Sequence, residues 1–346
     1  MKNETYQSII NSVLLPPEKF KYTALDLFAG CGGLSLGFEA AGFKSTGIEM
    51  DADCCDTYNN NLKGECIKET LTLDSHVPEA DIVIGGPPCQ PFSVRGKQQG
   101  LKDSRNGFPV FINTIRKIRP KAWLFENVRG LMYKNRAYLE EVLEELRQLG
   151  YIVEPRLLNA AEFGVPQNRE RLIVVGHKGK FEFPTQLDHK VTAGEALGDL
   201  AVEVPPDSEF ITPKMEKYIA RYEKASKCIV PRDLHLHLPA RTLTCRNLAG
   251  FTSDMHRIRL PDGRRRRLTV QEAALLQSFP EWFEFSGSKT SRYYQIGNAV
   301  PPLFAYRIAQ KIREFLDSGT FYTLPEIKIK QSKQKKLNQE IANAYR

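Results

Sequence analysis

Short, continuous apolar runs alternate with helix-compatible segments along the first half of the chain. The first run, 23–28, leads into a glycine-rich turn and then into a helical pattern that ends at Gly42. Further strands are predicted at 44–49, 81–84, 121–125 and 171–176. Continuous apolar strands that alternate with helices are typical of a parallel sheet covered on both faces. We therefore expect an α/β fold of the doubly wound, Rossmann-like type.

The pattern changes in the second half of the chain. Prolines interrupt residues 177–265 and few helical patterns occur there, which predicts a smaller, irregular second domain. Helical periodicity then returns, so residues 266–325 are expected to rejoin residues 1–176 in the first domain. Residues 326–346 form a basic tail, which is typical of a solvated, frayed chain end.

Composition and charge narrow the range of partners. The chain has 346 residues and carries 49 Lys and Arg against 41 Asp and Glu, a formal net charge of +8 at pH 7. This excess of positive charge favours a polyanionic partner. No apolar run reaches the roughly 20 residues that cross a bilayer, and the first residues lack the apolar region of a signal peptide. We expect a cytoplasmic, monomeric protein that contacts no membrane.

The seven cysteines are scattered and odd in number, which disfavours a disulfide framework. The sequence also lacks a CxxC pair with matching histidines, which disfavours a zinc site. Cys89 is different from the rest because it lies in the segment GGPPCQPFS (85–93), directly after a predicted strand. Doubly wound sheets bind ligands at this edge, and two prolines fix the backbone before the thiol. Near helix dipoles or basic groups such a cysteine forms thiolate readily, which predicts a nucleophile.

A glycine turn at Gly30, Gly32 and Gly33 stands between a strand and a helix, where a ligand can approach the backbone closely. Glu49, at the end of the next strand, is placed to accept hydrogen bonds from two ribose hydroxyls. The pattern indicates a nucleoside pocket. By itself it does not separate a dinucleotide from S-adenosylmethionine.

Two other strands carry polar residues at their ends. Glu126 follows an apolar strand, so its carboxyl group is expected at the same edge of the sheet as Cys89. Gln167, Arg169 and Arg171 begin a further strand, and the alternation of side chains would place all three on one face. Together these residues predict one active site around Cys89.

The motifs and their order resemble the DNA (cytosine-5)-methyltransferase family of bacterial restriction-modification systems. The resemblance covers nearly the whole chain. The blocks that carry it are DLFAGCGGLSLGF (26–38), Glu49, GGPPCQPFS (85–93), ENV (126–128), QNRER (167–171), RRLTVQEAALLQSFP (266–280) and QIGNAVPP (295–302).

The resemblance implies roles for individual residues. Cys89 would be the nucleophile and Glu126 the acid at the base ring, while Arg169 and Arg171 would bind the base or its phosphate and steady Glu126. The S-adenosylmethionine pocket would be lined by Phe28, Gly30, Gly32, Gly33, Leu34, Glu49, Met50, Phe108, Asn298 and Val300. Glu69 stands where the family usually has an acid that faces the adenine amino group, within a looser match.

The residue types suit methylation at C5 of cytosine. C5 is a poor nucleophile, so a thiolate must add at C6 while a carboxylic acid acts near N3. A base stacked in a duplex exposes neither face to a thiolate, so the target nucleotide must leave the stack. The basic, glycine-containing residues 94–107 are predicted to close over the DNA as a lid.

Residues 177–265 take the position of the family's target-recognition domain. The segment RTLTCRN (241–247) resembles the element that binds the backbone around the flipped nucleotide, so Thr242 is an expected phosphate contact. The arginines at 264–267 either add phosphate contacts or follow a solvated hairpin tip at 261–263. The full set of expected DNA contacts is Gln90, Ser93, Arg95, Thr242 and Arg246.

We therefore expect an enzyme that uses S-adenosylmethionine to methylate a specific sequence in double-stranded DNA, with a cognate restriction endonuclease as its genetic partner. A tRNA cytosine-5 methyltransferase of similar core motifs stays an alternative. A nicotinamide oxidoreductase accounts for the glycine turn but leaves Cys89 and Glu126 unexplained. A non-catalytic DNA-binding relative is disfavoured because Cys89, Glu126 and both arginines are all present.

Overall fold

A seven-stranded sheet forms the centre of the protein. The computed structural model describes residues 4–88, 106–227 and 232–322. The sheet has the strand order β3-β2-β1-β4-β5-β7-β6. Its strands are β1 (Tyr22–Leu27), β2 (Phe43–Glu49), β3 (Glu65–Lys68), β4 (Ile82–Gly85), β5 (Ala122–Val128), β6 (Ile152–Asn159) and β7 (Glu170–His177).

Helices connect and cover these strands. Before and within the sheet they are α1 (Tyr6–Val13), α2 (Gly33–Ala40), α3 (Ala52–Asn61), α4 (Phe108–Ile118), α5 (Gly130–Tyr133) and α6 (Arg136–Gln148). After the sheet they are α7 (Ala193–Leu197), α8 (Pro213–Ala225), α9 (Cys245–Ala249), α10 (Val270–Leu276), α11 (Lys289–Asn298) and α12 (Pro302–Asp317). A two-stranded hairpin of β8 (Arg257–Arg259) and β9 (Arg265–Arg267) precedes α10.

The first five strands of the sheet are parallel to one another. The sequence pattern predicts this for β1, β2, β4 and β5, whereas β3 is not among the predicted strands. β7 is not parallel to its neighbours, because it pairs antiparallel with both β5 and β6. The prediction of a parallel strand at 171–176 is therefore wrong in direction. β6 and β7 are joined by a short connection, which allows only an antiparallel pair, whereas a parallel pair needs a crossover of about a dozen residues or more.

Apolar side chains fill both faces of the sheet, which confirms the doubly wound α/β class. Along β5, Leu124 belongs to the buried cluster on one face, whereas Trp123 and Phe125 belong to the cluster on the other. Phe38 of α2 and the apolar side of α12 cover the first face. α4 and α6 cover the second face, with Phe111 and its neighbours buried against the strands.

The last helices pack onto the first face of the sheet. α12 lies along α2 so closely that a Cβ atom on Gly37 would fall 2.5 Å from the Cβ of Ala305. Residues of the irregular segment, including Ala193, Leu243 and Ile258, belong to the same continuous buried cluster. The domain boundaries at 177 and 265 stay a prediction, and β9 lies across the second of them.

Within the ranges that the structure describes, no helix is both long and apolar enough to cross a membrane.

Candidate active site

The glycine turn lies at the carboxyl end of β1, between that strand and α2. Gly30 and Gly32 have φ angles of +55° and +86°, in the left-handed region that favours glycine. A Cβ atom on Gly32 would also fall 2.7 Å from the ring of Tyr58. At Gly30, in contrast, no described atom lies within 4 Å of the Cβ position. The turn therefore packs tightly against the core on one side and opens to free space on the other.

Glu49 ends β2 beside this open space. Its carboxylate accepts hydrogen bonds from the backbone N–H groups of Gly30 at 3.0 Å, Met50 at 2.8 Å and Asp51 at 3.0 Å. The next side chain, Met50, is 67% exposed. Three backbone donors thus fix the carboxylate against the glycine turn, next to an uncovered apolar side chain, and a carboxylate in that position suits the hydroxyls of a ribose.

A chain of buried polar side chains lies beneath the pocket. Ser35 donates to Asp26 at 2.7 Å, Tyr58 lies 3.1 Å from Ser35 and 2.6 Å from Ser45, and Ser45 donates to Glu39 at 2.6 Å. All five residues are buried. Burial raises the pKa of Asp26 to about 7, despite the hydrogen bond from Ser35. This polar chain holds β1, β2, α2 and α3 in register below the glycine turn.

The segment after α11 closes the other side of the turn. The carbonyl oxygen of Val300 lies 2.5 Å from the position that a Cβ atom on Gly33 would take, so this close approach requires glycine. Asn298, the last residue of α11, is exposed and Val300 is buried. Leu34, also predicted to line the pocket, is 5% exposed. The structure thus brings the residues at 298–300 to the glycine turn.

Phe108 and Glu69 are also expected at the cofactor, and each contacts other residues of the protein. Phe108 is 0% exposed and packs edge to face against Phe125, with ring centroids 5.2 Å apart, so its side chain fills the core rather than lining an open pocket. Glu69 accepts a hydrogen bond from Ser75 at 2.5 Å, and its N–H group donates to the carbonyl of Glu49. Glu69 therefore lies beside Glu49, and the cofactor role expected of the buried Phe108 stays a prediction.

The expected nucleophile lies just beyond the described residues. The described part of the chain leaves out the expected site residues Cys89, Gln90 and Ser93, and also residues 94–105 of the expected lid, which include Arg95. The chain before and after them is held together, because the Gly107 N–H donates to the Pro88 carbonyl at 3.0 Å. Asn127 donates from its side chain to the Pro87 carbonyl at 2.9 Å. Asn127 was not predicted from the sequence, although an amide directly after Glu126 at a strand end was a signal for it.

Glu126 and Arg171 form an ion pair at this edge of the sheet. Arg171 Nε lies 2.7 Å from Glu126 Oε1, and the two side chains are 11% and 12% exposed. Both project from paired strands, β5 and β7. The second carboxylate oxygen lies 3.9 Å from the Cβ position of Gly86, two residues before Pro88. The structure therefore places this carboxylate beside the segment that leads to Cys89, held by a guanidinium.

A cleft of about 380 Å³ opens beside this pair, lined by Arg171, Val128, Asn168 and Thr242 among others. Thr242 donates a hydrogen bond to the carbonyl of Asn168 at 2.6 Å, which holds the 241–247 segment against the start of β7. Arg246, at the first turn of α9, is exposed. The cleft thus combines the catalytic edge of the sheet with residues of the predicted recognition segment.

Arg169 has contacts different from those expected. The strand begins only at Glu170, so Arg169 does not share a strand face with Arg171. It is 1% exposed and donates to the carbonyls of Leu243 at 2.8 Å, Ala299 at 2.9 Å and Gly297 at 3.3 Å. Burial, together with the nearby charge of Arg171, holds the pKa of Arg169 well below its usual range. Arg169 is expected to bind the base and steady Glu126, but in this structure its guanidinium binds backbone carbonyls instead.

The arginines at 264–267 are paired with carboxylates of the protein. The pairs are Arg264–Asp262, Arg265–Glu216, Arg266–Glu272 and Arg267–Glu209. Arg266 is fully buried and Arg267 is 5% exposed, so neither is free to meet a DNA phosphate. The hairpin tip expected at 261–263 is present, with Gly263 at a φ of +86°. Most of the run therefore holds the hairpin to its surroundings rather than serving as the phosphate-binding patch.

Comparison with known proteins identifies the family. Residues 22–314 match the sequence profile of the family described as C-5 cytosine-specific DNA methylase. The chain is 54% identical to the Type II methyltransferase M.AplI of Arthrospira platensis, over 85% of this chain and 86% of that relative. It is 35% identical to the Type II methyltransferase M1.HphI of Haemophilus parahaemolyticus, over 84% and 86% of the two chains.

Solved structures share the fold. The methyltransferase EhMeth of Entamoeba histolytica superimposes with a TM-score of 0.66 at 16% identity, over 87% of this chain and 99% of that chain. The Dnmt2 methyltransferase of S. pombe gives a TM-score of 0.64 at 18% identity, over the same shares of the two chains. The family predicted from the sequence is confirmed, and the nicotinamide oxidoreductase alternative is wrong. The chain belongs to the C-5 cytosine-specific DNA methylase family and is a DNA (cytosine-5)-methyltransferase.

Proposed function

We propose that the protein transfers the methyl group of S-adenosylmethionine to C5 of a cytosine that is flipped out of a specific duplex DNA sequence. The observation that carries this proposal is the Glu126–Arg171 pair. A carboxylate held 2.7 Å from a guanidinium lies beside the turn that leads to Cys89, and a cleft opens next to it. The reaction needs a nucleophile and an acid on one edge of the sheet, and this arrangement supports both.

The residues around the glycine turn fit the methyl donor. Glu49 is fixed by backbone donors, the Cβ side of Gly30 is open within the described structure, and Met50 is exposed. Glu49 would bind the ribose hydroxyls, and Asn298 and Val300 would close the pocket from the opposite side. When bound, S-adenosylmethionine supplies an electrophilic methyl group on a sulfonium.

Cys89 acts on the cytosine ring as the nucleophile. Its thiolate forms a bond to C6, while Glu126, in its protonated form, transfers its proton to N3 and is left as the carboxylate that pairs with Arg171. The ring carbon C5, made electron-rich by this addition, accepts the methyl group. A water molecule then takes the C5 proton, the electrons of that bond re-form the C5–C6 double bond, and the Cys89 thiolate is expelled. N3 returns its proton to Glu126, which restores the aromatic ring. Arg171 keeps Glu126 oriented toward the base throughout.

Four of the described thiols are poor candidates for this role. Burial raises the pKa of Cys31 to about 12, and burial likewise raises the pKa values of Cys54, Cys55 and Cys66. A thiol with such a pKa offers almost no thiolate at neutral pH. The nucleophile assignment rests on Cys89, which the segment GGPPCQPFS singles out.

Base flipping and DNA contacts complete the proposal. The cleft beside Arg171 would receive the flipped nucleotide, because a base inside the duplex cannot present C6 to a thiol. Thr242, at the wall of this cleft, and the exposed Arg246 would contact the DNA backbone. We further propose that the enzyme acts as a monomer, and, from its likeness to Type II methyltransferases, that its mark protects host DNA against a cognate restriction endonuclease.

The substrate is tested by incubating the full-length protein with tritiated S-adenosylmethionine and either duplex DNA or tRNA. We expect label in DNA alone, and bisulfite sequencing of the methylated plasmid should then show one recurring sequence around the modified cytosines. Label that enters only tRNA, or methylated cytosines without a common sequence, would overturn the proposed substrate.

The nucleophile is tested with DNA that carries 5-fluorocytosine at the mapped site. Fluorine cannot leave in place of the C5 proton, so the methylated base should stay covalently bound to Cys89 after denaturation. Cys89→Ser should abolish the adduct, whereas Cys245→Ser, a matched change at a half-buried cysteine, should retain it. An adduct mapped to Cys245, or methylation by Cys89→Ser, would refute the assignment.

A further inference from the structure

A buried amide pair joins three parts of the chain near the active site. Gln277, just after α10, and Gln167, just before β7, are both 0% exposed. Gln167 donates through its side-chain nitrogen to the side-chain oxygen of Gln277. Gln167 also donates to the Leu276 carbonyl at 3.2 Å, which fixes the orientation of its amide. Neither glutamine contributes an acid, base or nucleophile to the proposed reaction.

Each glutamine holds the backbone of a different functional segment. Gln167 accepts a hydrogen bond from the N–H of Leu243 at 2.9 Å, and Leu243 follows the proposed phosphate contact Thr242. Gln277 donates to the carbonyl of Ala299 at 2.8 Å, between the two proposed cofactor residues Asn298 and Val300. The two amides therefore connect the DNA-facing segment to the cofactor-facing segment.

Arg169 strengthens the same connection. Its guanidinium donates to the carbonyls of Leu243 and Ala299 at 2.8 and 2.9 Å. Both backbone groups of Leu243 are thus bound by side chains of the bridge, and the Ala299 carbonyl is bound twice. The two segments also touch directly, because a Cβ atom on Gly297 would fall 2.2 Å from the Cys245 nitrogen. A shift of either segment must therefore be accommodated by the other.

We propose that Gln277 is a positioning residue that couples DNA binding at Thr242 to cofactor binding at Asn298 and Val300. This inference rests on the proposed function, which assigns DNA and cofactor to those two segments. A ligand that shifts its own segment also shifts the other segment through Gln167, Gln277 and Arg169, so the second ligand finds its segment already in place. Linkage then requires each ligand to raise the affinity for the other by the same factor.

The coupling is measured with S-adenosylhomocysteine and a duplex that contains the bisulfite-mapped site. Calorimetry gives the dissociation constant of S-adenosylhomocysteine with and without the duplex, and the ratio is the coupling factor. We expect a factor of about five or more for the unchanged enzyme, within the usual range of coupling between sites. Gln277→Met, which keeps the size but removes the amide, should bring the factor to within about twofold of 1.

Gln295→Met is the matched control. Gln295 is 4% exposed and holds three polar partners, Thr57, Ser286 and Ser291, but it makes no bond to residues 242–244. Loss of this amide removes a similar buried network, and the coupling factor should stay at the wild-type value. A structural defect alone would move both variants alike, so equal loss of coupling in the two would overturn the proposal.

The outcomes separate this inference from the proposed function. If the wild-type enzyme methylates DNA but shows a coupling factor of 1, the proposed function stands and the role of Gln277 is refuted. This outcome does not depend on whether either variant folds. Wild-type coupling in Gln277→Met refutes it as well. An enzyme that transfers no methyl group to DNA would overturn the proposed function and this inference together.

Discussion

The close approach between the glycine turn and the segment after α11 can be tested by one added methyl group, Gly33→Ala. The new Cβ atom would fall 2.5 Å from the backbone carbonyl of Val300 and 3.2 Å from the Cβ of Ala299. An ordinary contact begins at 3.4 Å, so Val300 must retreat by about 0.9 Å. That retreat is resisted, because Arg169 and Gln277 both hold the adjoining Ala299 carbonyl.

These numbers set the expected effect on stability. Overpacking of this kind costs about 1–3 kcal/mol, whereas alanine is preferred over glycine in a helix by at most about 1 kcal/mol. The clash therefore outweighs the helix preference at Gly33, and we expect the free energy of unfolding to fall by about 1–2 kcal/mol. Urea denaturation measures this loss directly.

The same displacement should reduce cofactor affinity. Moving Asn298 and Val300 away from the turn separates two proposed walls of the pocket, so we expect S-adenosylhomocysteine to bind at least about tenfold more weakly, equal to about 1.4 kcal/mol. Gly130→Ala is the control, since no described atom lies within 4 Å of the Cβ position there. If Gly33→Ala binds S-adenosylhomocysteine as the unchanged protein does, with the same denaturation midpoint, the packing argument fails.

Three buried charges give the remaining predictions. Arg169→Lys keeps the charge but loses the planar fork that reaches three carbonyls, so urea denaturation should show a loss of about 2–3 kcal/mol together with reduced turnover. Wild-type stability and turnover would contradict the position of Arg169. Arg266→Met leaves the Glu272 carboxylate buried without its partner and should cost about 3–5 kcal/mol. The salt dependence of DNA binding should be the same in Arg266→Met as in the wild type, whereas Arg246→Met should lower the slope of log affinity against log salt concentration by about 1. A lower slope in Arg266→Met and an unchanged slope in Arg246→Met would show that the arginine run binds phosphate. The pKa of Asp26 is about 7 in the folded protein and near 3.9 in the unfolded chain. Between these two pH values the folded protein holds a proton on Asp26 that the unfolded chain has lost, so the free energy of unfolding falls as pH rises from about 4 to 7. Asp26→Asn should remove that decline, and an unchanged pH profile of unfolding would argue against the buried acid.

The sequence predicts the strands of the sheet better than their directions. β1, β2, β4 and β5 lie where strands are predicted, and β1, β4 and β5 are mostly apolar because they are buried on both faces. The same rule cannot give the direction of β7, since an antiparallel strand buried on both faces is as apolar as a parallel one. β6 escaped detection because it is an edge strand with mostly half-buried or exposed residues and a proline at 155.

Partners distant in the chain explain the other differences. A run of four arginines looks like a phosphate-binding patch as long as the carboxylates that neutralise it are unknown. Two of those carboxylates, Glu209 and Glu216, come from a segment about fifty residues earlier, which only the fold brings close. Arg169 is similar, because its acceptors are backbone carbonyls, and no sequence pattern marks a carbonyl. Glu126 and Arg171 could be predicted because each ends or begins a strand at the catalytic edge.

The hydrogen bond between Gly107 and Pro88 has a consequence for how such enzymes diversify. It ties the two ends of the intervening chain to one point, beside the end of β4 in the described sheet. When the ends are fixed, each doubling of the enclosed length costs only about 0.6 kcal/mol of closure entropy. We therefore expect that the chain between Pro88 and Gly107 can be lengthened, shortened or exchanged as a cassette at little cost to the described sheet. Grafting this cassette between relatives offers a way to change how the enzyme engages its substrate without rebuilding its core.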